Sequence, residues 1–103
     1  MFENGVMLGK GLIILCYQNK VNKSNNKECI VKLKEFIESV EKILKIYTIG
    51  TINFREELYF NEIKNCLGYL KSIVESNSFK INDSIIYKIK SIVRTLSFFI
   101  RLE

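Results

Sequence analysis

Between Asn53 and Val74 the apolar residues recur with the period of an α-helix. They are spaced mainly three and four residues apart, and polar residues fill the positions between them. On a helix of 3.6 residues per turn, eight of them fall on one side. These are Tyr59, Phe60, Ile63, Cys66, Leu67, Leu70, Ile73 and Val74. Because so wide an apolar band must be buried by other elements, the pattern predicts a central helix, running to about Ser76, in a packed core.

Two more segments have the same period. Apolar residues keep helical spacing from Lys27 to about Thr48, at Ile30, Leu33, Ile37, Val40, Leu44 and Tyr47. A last helix is predicted to run to about Leu102 on Ile85, Ile89, Ile92, Leu96 and Phe99. Short polar connectors between such segments favour antiparallel neighbours.

Local signals suggest where these helices begin and end. Gly50 is predicted to stop the second helix. Asn53 with Glu56 three residues later resembles a capping box for the central helix. Asp83 precedes the apolar run of the last helix and is predicted to be its N-cap.

The first 19 residues are ambiguous between helix and strand, because a short continuous apolar run has no diagnostic period. A buried helix whose glycines, Gly9 and Gly11, permit close crossings is slightly favoured, and the run is too short to span a bilayer. We therefore predict one all-α domain over residues 1–103. It is a small antiparallel bundle of four helices, or of three helices plus a packed N-terminal segment.

Composition adds a weak electrostatic hint and a statement about compartment. The chain has 103 residues, a formal net charge of +5 and no histidine. Ile, Lys and Asn make up 39 residues, which is typical of an A+T-rich coding sequence, so the lysines are weak evidence for an anionic partner. Cys16, Cys29 and Cys66 are odd in number and lie in apolar runs. We expect them to be free and buried in a cytoplasmic protein.

Enzymatic chemistry has little support in this sequence. Histidine, the side chain best suited to proton transfer near neutral pH, is absent. Phosphate-binding, dinucleotide-binding, nucleophile-elbow and zinc-protease motifs are absent as well. Glu56 and Glu57 fall in the first turn of a predicted helix, where carboxylates stabilise the helix dipole. We expect no catalytic residue, no metal and no cofactor.

One constellation suggests a binding function. Five residues of the last helix lie within about 80° of one another, pointing away from its apolar side. They are Tyr87, Lys90, Arg94, Phe98 and Arg101. Aromatic residues and arginine are enriched at protein interfaces, and the same residue types can contact phosphates and stack on bases. A purely structural alternative is that Tyr87 and Phe98 pack against the N-terminal segment while the cations are solvated.

A second, weaker signal is Gly68, on the polar side of the central helix. Glycine costs about 1 kcal/mol relative to alanine inside a helix. Close approach of a partner would explain it, and so would tolerance of a suboptimal residue.

In size, charge and helical pattern the chain resembles bacteriocin immunity proteins, phage-encoded inhibitors and the small helical subunits of RNA-guided complexes. The resemblance covers architecture only. Together with the missing catalytic motifs and the aromatic and cationic residues of the last helix, it favours a non-enzymatic protein, encoded by a phage or mobile element, that binds another protein as an inhibitor, immunity factor or assembly subunit. The alternative is a small basic helical subunit that contacts nucleic acid in a nucleoprotein complex. A third hypothesis, an interfacial membrane protein, requires the N-terminal apolar run to be exposed and not part of the core. Homo-oligomerisation is left open.

Overall fold

The computed structural model describes residues 2–47, 54–76 and 80–102, and within them the chain is a four-helix bundle. The helices are α1 (Phe2–Val21), α2 (Asn26–Tyr47), α3 (Phe54–Glu75) and α4 (Asp83–Leu102), with a 3-10 turn at Lys23–Asn25 before α2. No strand occurs among the described residues. The predicted small antiparallel all-α bundle is confirmed, and the ambiguous N-terminal segment is its first helix. Gly50 and Asn53 lie outside the described residues.

Contacts between helix ends establish the antiparallel order. At one end of the bundle, Phe2 at the start of α1 stacks on Phe99 near the end of α4, with ring centroids 5.6 Å apart. Phe60 of α3 stacks on the other side of Phe99 at 4.7 Å. At the opposite end, Lys20 of α1 forms an ion pair with Asp83 at the start of α4.

The packing of α1 against α2 and α4 depends on two glycines. A Cβ atom added to Gly5 would lie 3.1 Å from the Ile43 side chain of α2, and one added to Gly9 would lie 2.9 Å from Phe36 of α2. On the α4 side, Val93 would contact the Cβ of Gly9 even more closely. The expectation of a helix with glycine at a close crossing is confirmed at Gly9 and wrong at Gly11, where an added Cβ atom would have no neighbour within 4 Å.

The buried side chains follow the predicted spacings, except that Ile30, Tyr59, Ile73 and Val74 are only half-buried. Seven of the residues on which the predicted helices were based are among the most buried: Leu33, Val40, Ile63, Leu67, Leu70, Ile89 and Leu96. Tyr59, at the margin of the α3 apolar band, is only half-buried, because its ring lies over the edge of α4 rather than in the centre. The three cysteines are free and buried, as expected.

The N-terminus of α4 corrects one prediction. The side-chain oxygen of Asn82 accepts a hydrogen bond from the backbone N–H of Ile85 at 2.9 Å, so Asn82 caps the helix. Asp83 is the first helical residue, and its carboxylate is paired with Lys20. The acid at this position therefore joins α1 to α4 instead of capping.

A pair of asparagines connects α1 to the turn before α2. Asn19 is 5% exposed, and its side-chain amide donates a hydrogen bond to Asn25 Oδ1 at 2.8 Å. The Asn25 amide in turn donates to the backbone carbonyl of Leu15 at 3.4 Å. Because buried polar groups are costly unless they are hydrogen-bonded, this arrangement fixes the reversal of the chain between the two helices.

Candidate partner-binding surface

The predicted binding residues on α4 separate into three groups in the structure. Tyr87 is 63% exposed, and Arg94 is also exposed on the outer side of the helix. Arg101 lies in the last turn of α4, and its side chain is outside the described residues. Tyr87 and Arg94 therefore form the centre of the predicted surface, and their role in binding stays a prediction.

Lys90 points towards α1. Its ammonium group donates a hydrogen bond to the Tyr17 hydroxyl and lies 4.9 Å from the centroid of the Tyr17 ring. The Lys20 ammonium approaches the same ring at 5.6 Å. Tyr17 itself is 44% exposed. Helix α1 therefore adds an aromatic residue to this surface that the sequence of α4 alone could not predict.

Phe98 points in the other direction, towards α3. Its ring centroid lies 4.6 Å from that of Tyr59, and the two rings are tilted by 45°. The ring of Phe98 also meets its neighbour Phe99 edge-on at 6.1 Å. Phe98 is half-buried and contributes to the α3–α4 contact, in partial agreement with the structural alternative, although its partner is α3 and not the N-terminal segment.

We call the cationic and aromatic surface across α1 and α4, which is exposed except for the half-buried Lys90, the α1–α4 face. It consists of Lys10, Tyr17, Tyr87, Lys90 and Arg94. Gly9 and Val93 are directly opposed, so the next residues, Lys10 and Arg94, lie at the same height along the bundle. The face therefore continues from one helix to the next.

Cations predominate on this face, although the exposed carboxylate of Glu3 lies on the same side of α1 as Lys10, seven residues before it. Among the described residues, no carboxylate lies within ion-pairing distance of Lys10, Lys90 or Arg94. The carboxylate of Asp83, at the end of the face, is already paired with Lys20. Unpaired cations beside two tyrosine rings give a surface complementary to acidic groups.

An exposed apolar row runs along the outer side of α1, next to the α1–α4 face. Met7, Ile14 and Val21 are seven residues apart and are 72%, 59% and 92% exposed. Residues at this spacing lie almost directly above one another on a helix. We call these three residues the α1 row.

The buried thiols are poorly suited to nucleophilic chemistry. Burial raises the pKa of the Cys16 thiol to about 12, and the neighbouring Cys29 adds to the increase. Burial also raises the pKa of Cys29 and of Cys66, although Ser91 and Lys88 oppose the shift at Cys66. Because the thiolate is the reactive form, all three cysteines are expected to be inert in the folded chain.

Metal binding and membrane crossing have no structural basis in the described part of the chain. No group of three Cys, Asp or Glu side chains within it is placed to hold a metal ion. No described helix combines the length and the apolarity needed to cross a membrane.

Comparison with known proteins adds no relative. The sequence matches no protein-family model, and no curated protein and no solved structure is significantly similar to it.

Proposed function

We propose that this chain is a non-enzymatic helical protein that acts by binding another protein at the α1–α4 face. The observation that carries the proposal is the exposure of Tyr87 and Arg94, beside the Tyr17–Lys90 pair, on a surface without a described carboxylate partner. Tyrosine and arginine contribute disproportionately to protein interfaces, since both offer large rigid groups with polar ends. The finer roles consistent with such a surface are inhibitor, immunity factor and assembly subunit. The proposal includes a phage or mobile-element origin and a cytoplasmic location.

The exposed aliphatic residues beside the cations favour a protein partner over nucleic acid. Phosphate backbones are bound by cations and polar groups, and bases stack on aromatic rings. Neither interaction uses the aliphatic side chains of Met7 and Ile14, whereas the centre of a protein interface is apolar with a polar rim.

The second candidate is a small basic subunit that contacts nucleic acid in a nucleoprotein complex. It is favoured by the combination of the Arg94 and Lys90 cations with the Tyr17 and Tyr87 rings. The two candidates differ in how strongly binding depends on salt.

The test is affinity capture from a lysate of the native host, with the whole chain as bait. We expect the double variant Tyr87→Ala/Arg94→Ala to lose its protein partner, because hot-spot truncations cost about 2 kcal/mol or more each. The matched control is Leu58→Ala/Lys64→Ala on the outer side of α3, which likewise removes one exposed apolar residue and one cation. Equal capture by both double variants would contradict the proposed site.

A further inference from the structure

The outer side of α1 is unlike the outer sides of the other helices. Helix α1 as a whole has almost no separation into an apolar and a polar side, whereas α4 is strongly amphipathic. Across its 20 residues, α1 carries only three charged side chains, Glu3, Lys10 and Lys20. Polar and apolar residues are therefore mixed on the exposed side of α1, and exposed apolar residues that line up on one side are typical of a surface covered by a partner. Large exposed apolar side chains on the described parts of α2 and α3 do not form such a row: Val31, Ile46 and Leu58.

Gly11 lies on this same outer side, between Met7 and Ile14. The packing of α1 against the bundle requires small residues at Gly5 and Gly9, but a Cβ atom at Gly11 would have no neighbour within 4 Å. Glycine at an exposed helical position costs about 1 kcal/mol relative to alanine. No packing contact in the described fold requires glycine at this position. The missing side chain does leave a notch in which the backbone of a partner can approach α1 closely.

Two shallow cavities follow each other along the boundary between α1 and α2. The first, of about 220 Å³, includes Met7, Gly11 and Leu15 in its lining. The second, of about 590 Å³, continues from Leu15 to Val21. From Met7 to Val21 the helix rises about 21 Å, which is the length of about four helical turns in a partner.

The charges on either side of the α1 row determine what kind of helix fits. On the α4 side lie Lys10 and Arg94, which have no described carboxylate partner, and one acid, Glu3, at the start of α1, so this flank keeps a net positive charge. On the α2 side, Glu28 and Lys32 carry opposite charges, which balance. An occupant with carboxylates along the α4 side and apolar residues over the row would satisfy both features.

A second copy of this chain does not satisfy them. In a two-fold pair with antiparallel α1 helices, the two α4 sides face each other, which brings the cationic flanks with Lys10, Lys90 and Arg94 of both copies together. With parallel α1 helices, the same cations face Glu28 and Lys32 of the other copy, whose charges cancel. Like charges in an interface are unfavourable, so charge complementarity selects a different protein.

We propose that the α1 row seats an amphipathic helix of a partner protein, with acidic side chains along the flank that faces α4. The inference rests on the proposed protein-binding function and specifies the chemistry of the partner. The partner's apolar residues lie over Met7, Ile14 and Val21, and its carboxylates lie near Lys10 and Arg94.

A display selection tests this inference without knowledge of the natural partner. A library of helix-forming peptides of about 15–20 residues, randomised at surface positions, is selected on the whole chain. We expect enriched peptides to have apolar residues at three- and four-residue spacings and Asp or Glu on one flank. Their affinity should fall roughly 30-fold for Ile14→Glu, since a charge replaces an apolar anchor. The matched control Leu58→Glu, at an apolar residue of similar exposure on α3, should leave the affinity unchanged.

A charge-reversal variant tests the acidic flank separately. Selection on Lys10→Glu/Arg94→Glu should enrich peptides with Lys or Arg in place of the acids. Met7→Glu provides a second variant of the row, and circular dichroism verifies that each variant folds. Enriched peptides without helical spacing or without the exchange of flank charge would overturn the inference.

Further measurements assign the row to other occupants if the inference is wrong. Sedimentation of the chain alone should show a monomer, and a dimer abolished by Ile14→Glu would identify a second copy as the occupant. Co-sedimentation with phosphatidylglycerol-containing vesicles should show no binding, and binding lost in Ile14→Glu would identify a lipid surface.

If Tyr87→Ala/Arg94→Ala loses the natural partner but Ile14→Glu keeps it, the proposed function stands and this inference fails. If instead Ile14→Glu loses the natural partner while Tyr87→Ala/Arg94→Ala keeps it, the proposed α1–α4 face and the acidic flank of this inference both fail, and only the apolar row remains as a binding site.

Discussion

Gly9 and Gly11 of α1 have different surroundings. Replacing each of them by alanine is therefore expected to change the free energy of unfolding in opposite directions. Gly9→Ala places a methyl group against Phe36 and Val93, both buried, so the free energy of unfolding should fall by about 1–2 kcal/mol. Gly11→Ala places the same methyl group in open space. It should raise the free energy of unfolding by about 0.5–1 kcal/mol, since alanine loses less conformational entropy than glycine when the chain folds. Urea denaturation of the two variants measures both values. Changes of the same sign would contradict the described packing of α1.

The raised pKa of Cys16 predicts a loss of stability at alkaline pH. The thiol ionises near 9.0 in the unfolded chain but retains its proton to about pH 12 in the folded chain. Between these values the unfolded state binds fewer protons, so rising pH favours unfolding. The part of this decline that belongs to Cys16 should be absent in Cys16→Ala, although that variant is less stable overall because it leaves a small cavity. Urea denaturation at about pH 8 and about pH 10.5 compares the two slopes, and equal slopes would count against the assignment.

Individual side chains show where sequence patterns were sufficient and where they were not. The helical spacing identified Leu70 and Ile89 as core residues, because burial along one helix follows from its own period. Spacing could not distinguish Asn82 from Asp83 as the cap of α4, since both residue types serve in that role. The choice depends on Lys20, which is 63 residues distant from Asp83 in the chain and forms an ion pair with it.

At the scale of elements, the predicted binding residues of α4 are divided between two neighbouring helices. A helical wheel shows that Lys90 and Phe98 point away from the apolar side, but it does not show which helices lie on either flank. The structure places α1 beside Lys90 and α3 beside Phe98. Tyr17 was missed because the apolar run around it fitted a helix or a strand equally well. The apolar outer side that made α1 ambiguous in the sequence is the same feature that now forms the α1 row.

This division predicts different effects for Tyr87 and Phe98, the two aromatic residues of α4 that were predicted to bind a partner. Phe98→Ala should lower the free energy of unfolding by about 1–3 kcal/mol, because it removes a half-buried ring packed against Tyr59. Tyr87→Ala should change it by less than about 0.5 kcal/mol, since that ring is largely exposed. Thermal or urea denaturation of the two single variants provides the comparison. Equal losses would show that Tyr87 also packs within the bundle and is a poor probe of binding.

At the scale of the whole molecule, the net charge of +5 is the feature shared by the protein-binding and nucleic-acid-binding proposals. The distribution of charge is more informative than its sum. Lys10, Lys90 and Arg94 lie together on the α1–α4 face, next to an aliphatic row that contributes nothing to phosphate binding. Any bound nucleic acid would therefore be held mainly by these three cations.

The number of cations on the α1–α4 face predicts how strongly nucleic-acid binding would depend on salt, and this dependence distinguishes the two proposals. Release of counterions by three cations on a single strand gives a slope of about −2 in log affinity against log salt, or about 100-fold weaker binding over a tenfold rise in salt. A protein partner seated on Met7 and Ile14 should lose less than about tenfold over the same range, because burial of apolar surface is not screened. Titration of the captured partner at low and high salt measures the slope, with Tyr87→Ala/Arg94→Ala as the binding-deficient reference. If log affinity falls steeply with log salt, and falls less steeply in Arg94→Ala, the α1–α4 face would bind nucleic acid and not a protein.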